Sequence, residues 1–181
     1  MNRLRPDYIG FVFWPKSRRF LGRAQAARLK ALLSPAVQAV GVFVDMPVEE
    51  VAGLLADGII DLAQLHGEES EEDIRYLQEV TGRPVIKAVR VRSRYDVEAW
   101  LDSAADYLLF DSGMGSGRTF DWSLLEGVTR PYFLAGGLGL DNLEQVLVRV
   151  GPYGVDLSSS LETEGHKDPE KIRRVMELVC G

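Results

Sequence analysis

The sequence predicts an α/β protein built on a parallel sheet. Short apolar runs rich in Val, Ile, Leu and Phe alternate along the chain with segments of helical periodicity. Within each run most successive residues are apolar, which is typical of strands that helices cover on both faces. No stretch rich in Pro, Gly or Ser divides the 181 residues, so we expect a single domain that spans 1–181.

Seven apolar runs have the composition of strands, whereas a closed (βα)8 barrel requires eight. Right-handed crossovers wind such units into either a barrel or an open sheet, and both remain open at this point. The predicted strands are 8–14, 39–44, 60–65, 85–89, 107–111, 132–135 and 155–158. The predicted helices are 24–33, 48–56, 71–80, 95–101, 122–125, 142–150 and 169–179. Asp141 with Glu144 predicts a capping box, and Asp168 before Pro169 predicts another helix start.

Composition excludes several classes of function. No apolar run approaches the roughly 18 residues that a membrane span requires, and the N-terminus lacks the layout of a signal peptide. The net charge of −6 argues against general nucleic-acid binding, which needs a basic surface. The single cysteine, Cys180, excludes an internal disulfide and fits a reducing cytoplasm, where we expect the protein to reside. His66 and His166 lie in separate segments, so we expect no metal site.

Glycine and polar residues concentrate where the predicted strands end. In a βα barrel the active site lies at these carboxyl ends. The segment 112–119 contains three glycines, Gly136-Gly137 follows the sixth run, and Ser158-Ser159-Ser160 closes the seventh. Glycine lets backbone N–H groups approach an anion closely, and the last two βα loops of such barrels commonly bind phosphate. We therefore predict a phosphate pocket, with a merely flexible loop at 112–119 as the alternative.

Three further strand-end side chains are candidates for chemistry. Asp111 ends an apolar strand and would serve as a general acid or base, or else would bond the N–H groups of its own loop. Arg19 follows the first strand, where a guanidinium aimed at the site would clamp a carboxylate. His66 ends the third strand before Gly67, and a structural histidine is its commoner role.

The strand-end segments closely resemble those of phosphoribosylanthranilate isomerases, a family of tryptophan biosynthesis. The resemblance implies a TIM-type (βα)8 barrel, here an incomplete barrel of seven parallel strands with helices outside. It also implies an isomerase that acts on a small phosphosugar without a cofactor or metal. The matching segments fall in order and cover essentially the whole chain: 7–13 with 15–19, 40–44, 64–67, 85–88, 111 with 115–122, 135–138 and 154–159.

In that family the reaction is an Amadori rearrangement of a phosphoribosylated anthranilate to its 1-deoxyribulose form. By resemblance Asp111 matches the general acid, and Arg19 matches the residue that holds the anthranilate carboxylate. His66 is a possible further pocket residue. The residues that match the phosphate-binding loops are Gly115, Gly117, Gly136, Gly137, Ser158 and Ser159.

Two departures from the family pattern bear on activity. Ser160 stands where the family usually has glycine, so a side chain there would crowd the phosphate or change the backbone. The family's first strand, of the type Lys-Ile-Cys-Gly-Leu, carries the general-base cysteine and is absent, while residues 1–5 resemble the tail of the helix that follows it. Cys180 ends the last predicted helix and would lie at the opposite face. We therefore expect little or no isomerase activity from these 181 residues alone.

Two accounts of the chain remain open. In one it is an isomerase whose coding start was drawn too far downstream. In the other it is a non-catalytic remnant that binds a phosphate ligand or associates with itself. Other phosphosugar barrel enzymes fit poorly, because their catalytic lysines or metal-binding histidines are missing. An incomplete barrel would leave two strand edges, 8–14 and 155–158, and we expect homo-oligomers that pair through them.

Overall fold

A computed structural model describes residues 1–113 and 119–180 of the chain. Seven parallel strands form one sheet whose strand order follows the sequence, as expected for consecutive βα units. All seven predicted strands are confirmed, with ends that shift by a few residues. The strands are β1 (Tyr8–Val12), β2 (Gln38–Phe43), β3 (Leu62–Leu65), β4 (Val85–Arg90), β5 (Tyr107–Asp111), β6 (Tyr132–Leu134) and β7 (Gly154–Val155).

The helices also follow the predicted segments. The predicted helix at 122–125 is a 3₁₀ turn, Trp122–Leu125, rather than an α-helix. The α-helices are α1 (Arg23–Leu32), α2 (Val48–Ala56), α3 (Glu71–Thr81), α4 (Arg94–Glu98), α5 (Leu143–Arg149) and α6 (Pro169–Cys180). No helix in the described residues is both long enough and apolar enough to cross a membrane.

The two predicted helix starts have different outcomes. Asp168 caps α6, because its Oδ1 accepts from the N–H groups of Glu170 (2.9 Å) and Lys171 (3.3 Å). The capping box at Asp141 is wrong, since α5 begins at Leu143 after Asn142. The Asn142 side chain bonds back to the preceding loop instead, and the chain there turns through a bond from Leu143 N to Gly139 O (2.9 Å).

The chain comprises two compact units. The first contains Met1–Ala88 and Ser103–Tyr107. Its core includes a stacked pair, Phe13 and Phe43, with ring centroids 5.1 Å apart. Gly41 lies against this core, where an added Cβ would be 2.7 Å from the Phe43 ring. The fully buried large side chains of this unit are Phe43, Leu55, Ile60, Leu62, Leu65, Ile74 and Leu77.

The second unit contains Val89–Asp102 and Leu108–Gly181. Its core includes Phe110 against Tyr132, edge to face, with ring centroids 5.3 Å apart. It also contains a hairpin that the sequence did not predict, β8 (Glu162–Thr163) with β9 (His166–Lys167). Glu164 and Gly165 connect these strands with φ values of 51° and 81°. Asn and Gly are the usual residues at such a turn, and because Glu164 replaces the Asn, the sequence lacks the usual signal for this hairpin.

β1 is the first strand of the sheet and presents one edge away from β2. The N–H of Phe13 donates to Val42 O (2.9 Å). The backbone N–H and C=O groups of odd-numbered residues in β1 therefore point toward β2, and those of even-numbered residues point to the outward edge. At the end of the outward edge, Leu21 N donates to Val12 O (2.8 Å), and Phe20 forms a parallel bridge with Val12. No other strand of the described residues pairs with this edge.

Candidate functional site

Asp111 is the last residue of β5 and is only 8% exposed. Gly136, which follows β6, packs directly against it with a φ of 87°. A Cβ added at Gly136 would lie 2.5 Å from Asp111 Oδ1 and 2.7 Å from Ser112 N. Only glycine fits this position, because both the backbone angle and the available space exclude a side chain. The second unit thus brings together two of the predicted site residues.

The loop after β6 is held in shape by Asn142, which the sequence analysis missed. Asn142 Nδ2 donates to Gly137 O (2.9 Å), and Asn142 Oδ1 accepts from Gly139 N (3.0 Å). Gly137 itself has a φ of 65°. The sequence did contain a signal for this role, an Asn shortly after Gly-Gly-Leu-Gly. Asn side chains commonly bond nearby backbone groups in turns.

The serines after β7 lead into a 3₁₀ turn at Ser159–Leu161. Ser158 and Ser159 are exposed, and Ser158 O accepts from Lys167 Nζ (2.7 Å). Ser160 Oγ and Ser112 Oγ are buried and have no hydrogen-bond partner among the described residues. Buried hydroxyls normally have partners, so these two are exceptions. Gly115 and Gly117 lie outside the described residues.

Arg90 is a further strand-end cation that the sequence analysis did not select. It ends β4, is exposed, and lies across Gly113, where an added Cβ would be 2.8 Å from Arg90 Cδ. Gly113 follows Asp111 by two residues and has a φ of 96°. The aliphatic part of the Arg90 side chain therefore covers the start of the loop after β5.

In the first unit, Arg19 lies in a turn after β1 and is half-buried. Its N–H donates to Ser17 Oγ (3.1 Å), and Ser17 N donates to Trp14 O (2.9 Å). Leu21 then returns to β1 through its bond to Val12. The turn fixes the backbone on either side of Arg19, while the neighbouring Arg18 is exposed.

His66 directly follows β3, where its N–H donates to Phe43 O (2.8 Å). Gln64 is buried, and its Nε2 lies 3.0 Å from His66 Nδ1. This contact orients the imidazole ring of His66.

A buried ion pair lies beside His66, and the sequence analysis did not detect it. Lys87 Nζ is 2.9 Å from Glu69 Oε2, and the two side chains are 3% and 4% exposed. Lys87 Nζ also donates to Gly67 O (2.7 Å). Glu69 accepts from Gly67 N (2.8 Å) and from Asp45 N (2.9 Å). The described residues contain no group of three or more His, Cys, Asp or Glu that would hold a metal ion.

Parallel strands in sequence order, with glycines and polar side chains at their carboxyl ends, define an α/β protein of the TIM-type barrel class. The family model of N-(5′-phosphoribosyl)anthranilate (PRA) isomerase matches residues 2–178. The chain belongs to this isomerase family, which acts in tryptophan biosynthesis. The predicted family and the predicted fold class are therefore confirmed.

Similar proteins cover nearly all of the chain. N-(5′-Phosphoribosyl)anthranilate isomerase of Endomicrobium trichonymphae is 42% identical, over 99% of this chain and 90% of that protein. The enzyme of Streptococcus mutans is 43% identical, over 96% of this chain and 87% of that protein. The crystal structure of the Thermotoga maritima enzyme has a TM-score of 0.89 at 36% identity, over 99% of this chain and 90% of that one. A structure of such an isomerase in complex with reduced 1-(o-carboxyphenylamino)-1-deoxyribulose 5-phosphate has a TM-score of 0.87 at 35% identity, over 99% of this chain and 90% of that one.

Proposed function

We propose that the chain carries the substrate-binding groups and the general acid for an Amadori rearrangement of N-(5-phosphoribosyl)anthranilate. The observation that supports this most is the nearly buried Asp111 at the end of β5, with Gly136 packed against its carboxyl group. In this reaction Asp111 gives its proton to the ribose ring oxygen while the bond from that oxygen to C1′ breaks, which leaves a Schiff base. A base then removes the C2′ proton, and the resulting enolamine relaxes to the ketone.

Arg19 would hold the anthranilate carboxylate. A guanidinium binds a carboxylate through two parallel hydrogen bonds, and the fixed backbone of the turn at Arg19 limits the cost of orienting it. His66, oriented by Gln64, would line the same pocket.

The phosphate would bind to the loops after β6 and β7 and to the loop after β5. Gly136 and Gly137 have positive φ angles and form a tight turn, a kind of backbone segment that binds anions through its N–H groups in many proteins. Ser158 and Ser159 would contribute at the end of β7. Gly115 and Gly117 complete the proposal, although they lie outside the described residues.

The general base is the part of the mechanism that these residues do not supply. The only cysteine is Cys180, which is the last residue of α6 and is exposed. Loss of a positioned base typically lowers a rate by about 10²–10⁴. We therefore expect the 181-residue chain to bind its ligand and to turn it over slowly.

The test measures conversion of N-(5-phosphoribosyl)anthranilate by the chain, alone and with an added fragment of the family's first strand and helix. We expect slow conversion by the chain alone and faster conversion with the fragment. Asp111→Asn should lower the faster rate by about 10² or more. Asp121→Asn is the control, because Asp121 caps the 3₁₀ turn through Ser123 N (3.0 Å) and is exposed.

Two results would contradict the proposal. Equal conversion by the Asp111→Asn variant and the unchanged chain would show that Asp111 is not the acid. Conversion by the chain alone at the rate of a complete isomerase would show that the base is present after all.

A further inference from the structure

In the first unit, a set of hydrogen bonds joins Lys87 of β4 to the segments that follow β2 and β3. Lys87 extends from β4, where it lies opposite Leu65 of β3. Glu69 lies in the loop after β3, and Asp45 follows β2. The Glu69 carboxylate accepts from Lys87 Nζ, Gly67 N and Asp45 N, all between 2.8 and 2.9 Å. One buried carboxylate therefore connects the segments after β2 and β3 to β4.

Two further contacts tighten the same segment. Asp45 Oδ1 accepts from Glu68 N (2.8 Å), while Glu69 Oε1 accepts from Asp45 N (2.9 Å), so two bonds join Asp45 to the Glu68-Glu69 segment. Gly67 lies so close that an added Cβ would be 2.8 Å from both Asp45 Cγ and Asp45 N. Asp45 itself has a φ of 51°, a backbone angle that non-glycine residues rarely adopt. Such an arrangement persists only where its surroundings fix it strongly.

A buried ion pair needs a reason other than stability. Desolvation of the two charges offsets most of their attraction, so apolar side chains of similar size would serve stability equally well. Glu69 and Lys87 direct their bonds to Gly67, the residue next to His66. The pair therefore fixes the backbone from which the His66 ring projects.

We propose that Glu69 and Lys87 are positioning residues, which set the location of His66 at the end of β3 for the bound ligand. This rests on the proposed function in that His66 is taken to line the ligand pocket. Gln64 orients the imidazole ring, and the buried pair holds its backbone. Neither Glu69 nor Lys87 touches the reacting atoms, since both act through the loop from His66 to Glu69.

The test compares two variants with a matched control. Lys87→Met/Glu69→Gln removes both buried charges together, so no charge is left unpaired in the interior. Glu69→Gln alone keeps the side-chain shape but leaves the buried Lys87 ammonium without its counter-charge, so it should lower stability more than the double change does. Lys30→Met is the control, because Lys30 and Asp61 form another partly buried pair of the same unit, each 23% exposed. Asp61 also accepts from Ala39 N (2.7 Å), so the control pair too links a charge to the backbone.

The readouts are the ¹⁵N chemical shifts of the two histidines at fixed pH and the binding of reduced 1-(o-carboxyphenylamino)-1-deoxyribulose 5-phosphate. His166 is exposed in β9 and serves as the internal reference. We expect both pair variants to shift the His66 ring signals and to weaken binding about tenfold, since small misplacements of a positioned group are costly. His166 should not change, and Lys30→Met should lower stability without moving His66 or the dissociation constant.

A folded pair variant with unchanged His66 signals and unchanged binding would overturn the proposal and leave the pair a purely structural role. The two proposals fail in different ways. If the unchanged chain does not bind the ligand, the proposed function is wrong, while the His66 signals still test whether the pair positions the ring. If binding is normal and His66 is insensitive to the pair, only the further inference is wrong.

Discussion

Gly136 shows how a single missing side chain shapes the site. Its backbone lies against the Asp111 carboxylate and Ser112 N, at a φ of 87°. A methyl group there would strain the backbone and push against an atom of the proposed acid. Glycine at position 136 is therefore needed for the packing against Asp111 as well as for the proposed phosphate site. With glycine there, the Asp111 side chain keeps its position at the end of β5.

We expect Gly136→Ala to lower conversion strongly and to destabilise the fold by about 1–3 kcal/mol, from strain at a positive φ. Gly22→Ala is the matched control, because its φ is −75° and an added Cβ meets nothing within 4 Å. Urea unfolding and the fragment-supplemented conversion assay measure both effects. Equal behaviour of the two alanine variants would mean that the Asp111 carboxylate tolerates displacement.

Sequence reasoning at this scale succeeded where a residue's position along its own strand was sufficient. Asp111 and Gly136 were found because each directly follows an apolar run. The Glu69–Lys87 pair was not found, since its partners lie 18 residues apart and nothing local marks either as buried. Buried charges are rare, and only the packed structure shows which lysine of many has a carboxylate within reach.

At the scale of elements, α6 begins through a cap that responds to pH. Thr163 Oγ1 donates to Asp168 Oδ2 (2.6 Å), and the N–H groups of Lys171 and Glu170 bond the other oxygen. These bonds, that of Thr163 first, lower the pKa of Asp168 below its usual value of 3.8. The folded protein therefore binds this proton less readily than the unfolded chain does.

The lowered pKa of Asp168 determines how the stability of the protein changes with pH. The cap stabilises α6 fully above the unfolded value near 3.8, and the contribution is lost as the pH falls through the lower folded value. We expect the unchanged protein to lose more stability between pH 7 and pH 3 than Asp168→Asn, whose side chain does not titrate. Urea midpoints at the two pH values measure this. Identical losses in both proteins would show that the cap does not discriminate the charged form.

Helices and strands were predicted accurately where they were long enough to show a hydrophobic period. The prediction failed where a side-chain hydrogen bond or a very short turn decides the backbone. The bounds of α2 and β5 match the predicted segments 48–56 and 107–111. The start of α5 was misplaced, because Asn142 competes with Asp141 by bonding the Gly137–Gly139 backbone. The β8–β9 hairpin was missed, because its strands have two residues each and are too short to show a period.

At the scale of the whole molecule, the outward edge of β1 is the feature that bears on assembly. Gly10 and Val12 direct their backbone groups to this side, and Leu21 N donates to the Val12 carbonyl (2.8 Å). Exposed edges promote pairing between chains. We propose that this chain forms homo-oligomers, with the β1 edge in the interface.

We expect Gly10→Pro to weaken that assembly, because proline removes the outward N–H and is tolerated only on an edge. Gly22→Ala is again the control, and light scattering coupled to size-exclusion chromatography gives the mass of each. A shift of Gly10→Pro toward monomer at concentrations where the unchanged chain associates is the expected result. A monomeric unchanged chain, or an oligomer that the proline leaves intact, would contradict the proposed interface.

The central claim is that this chain holds the substrate-recognition part of a phosphoribosylanthranilate isomerase site. It is tested most directly by the dissociation constant of reduced 1-(o-carboxyphenylamino)-1-deoxyribulose 5-phosphate for the 181-residue chain, for Arg19→Met and for the neighbouring Arg18→Met. We expect the unchanged chain to bind, Arg19→Met to bind about tenfold or more weakly through loss of a charge-assisted pair, and Arg18→Met to bind like the unchanged chain. Absence of binding by the unchanged chain, or an equal loss in both arginine variants, would contradict the claim.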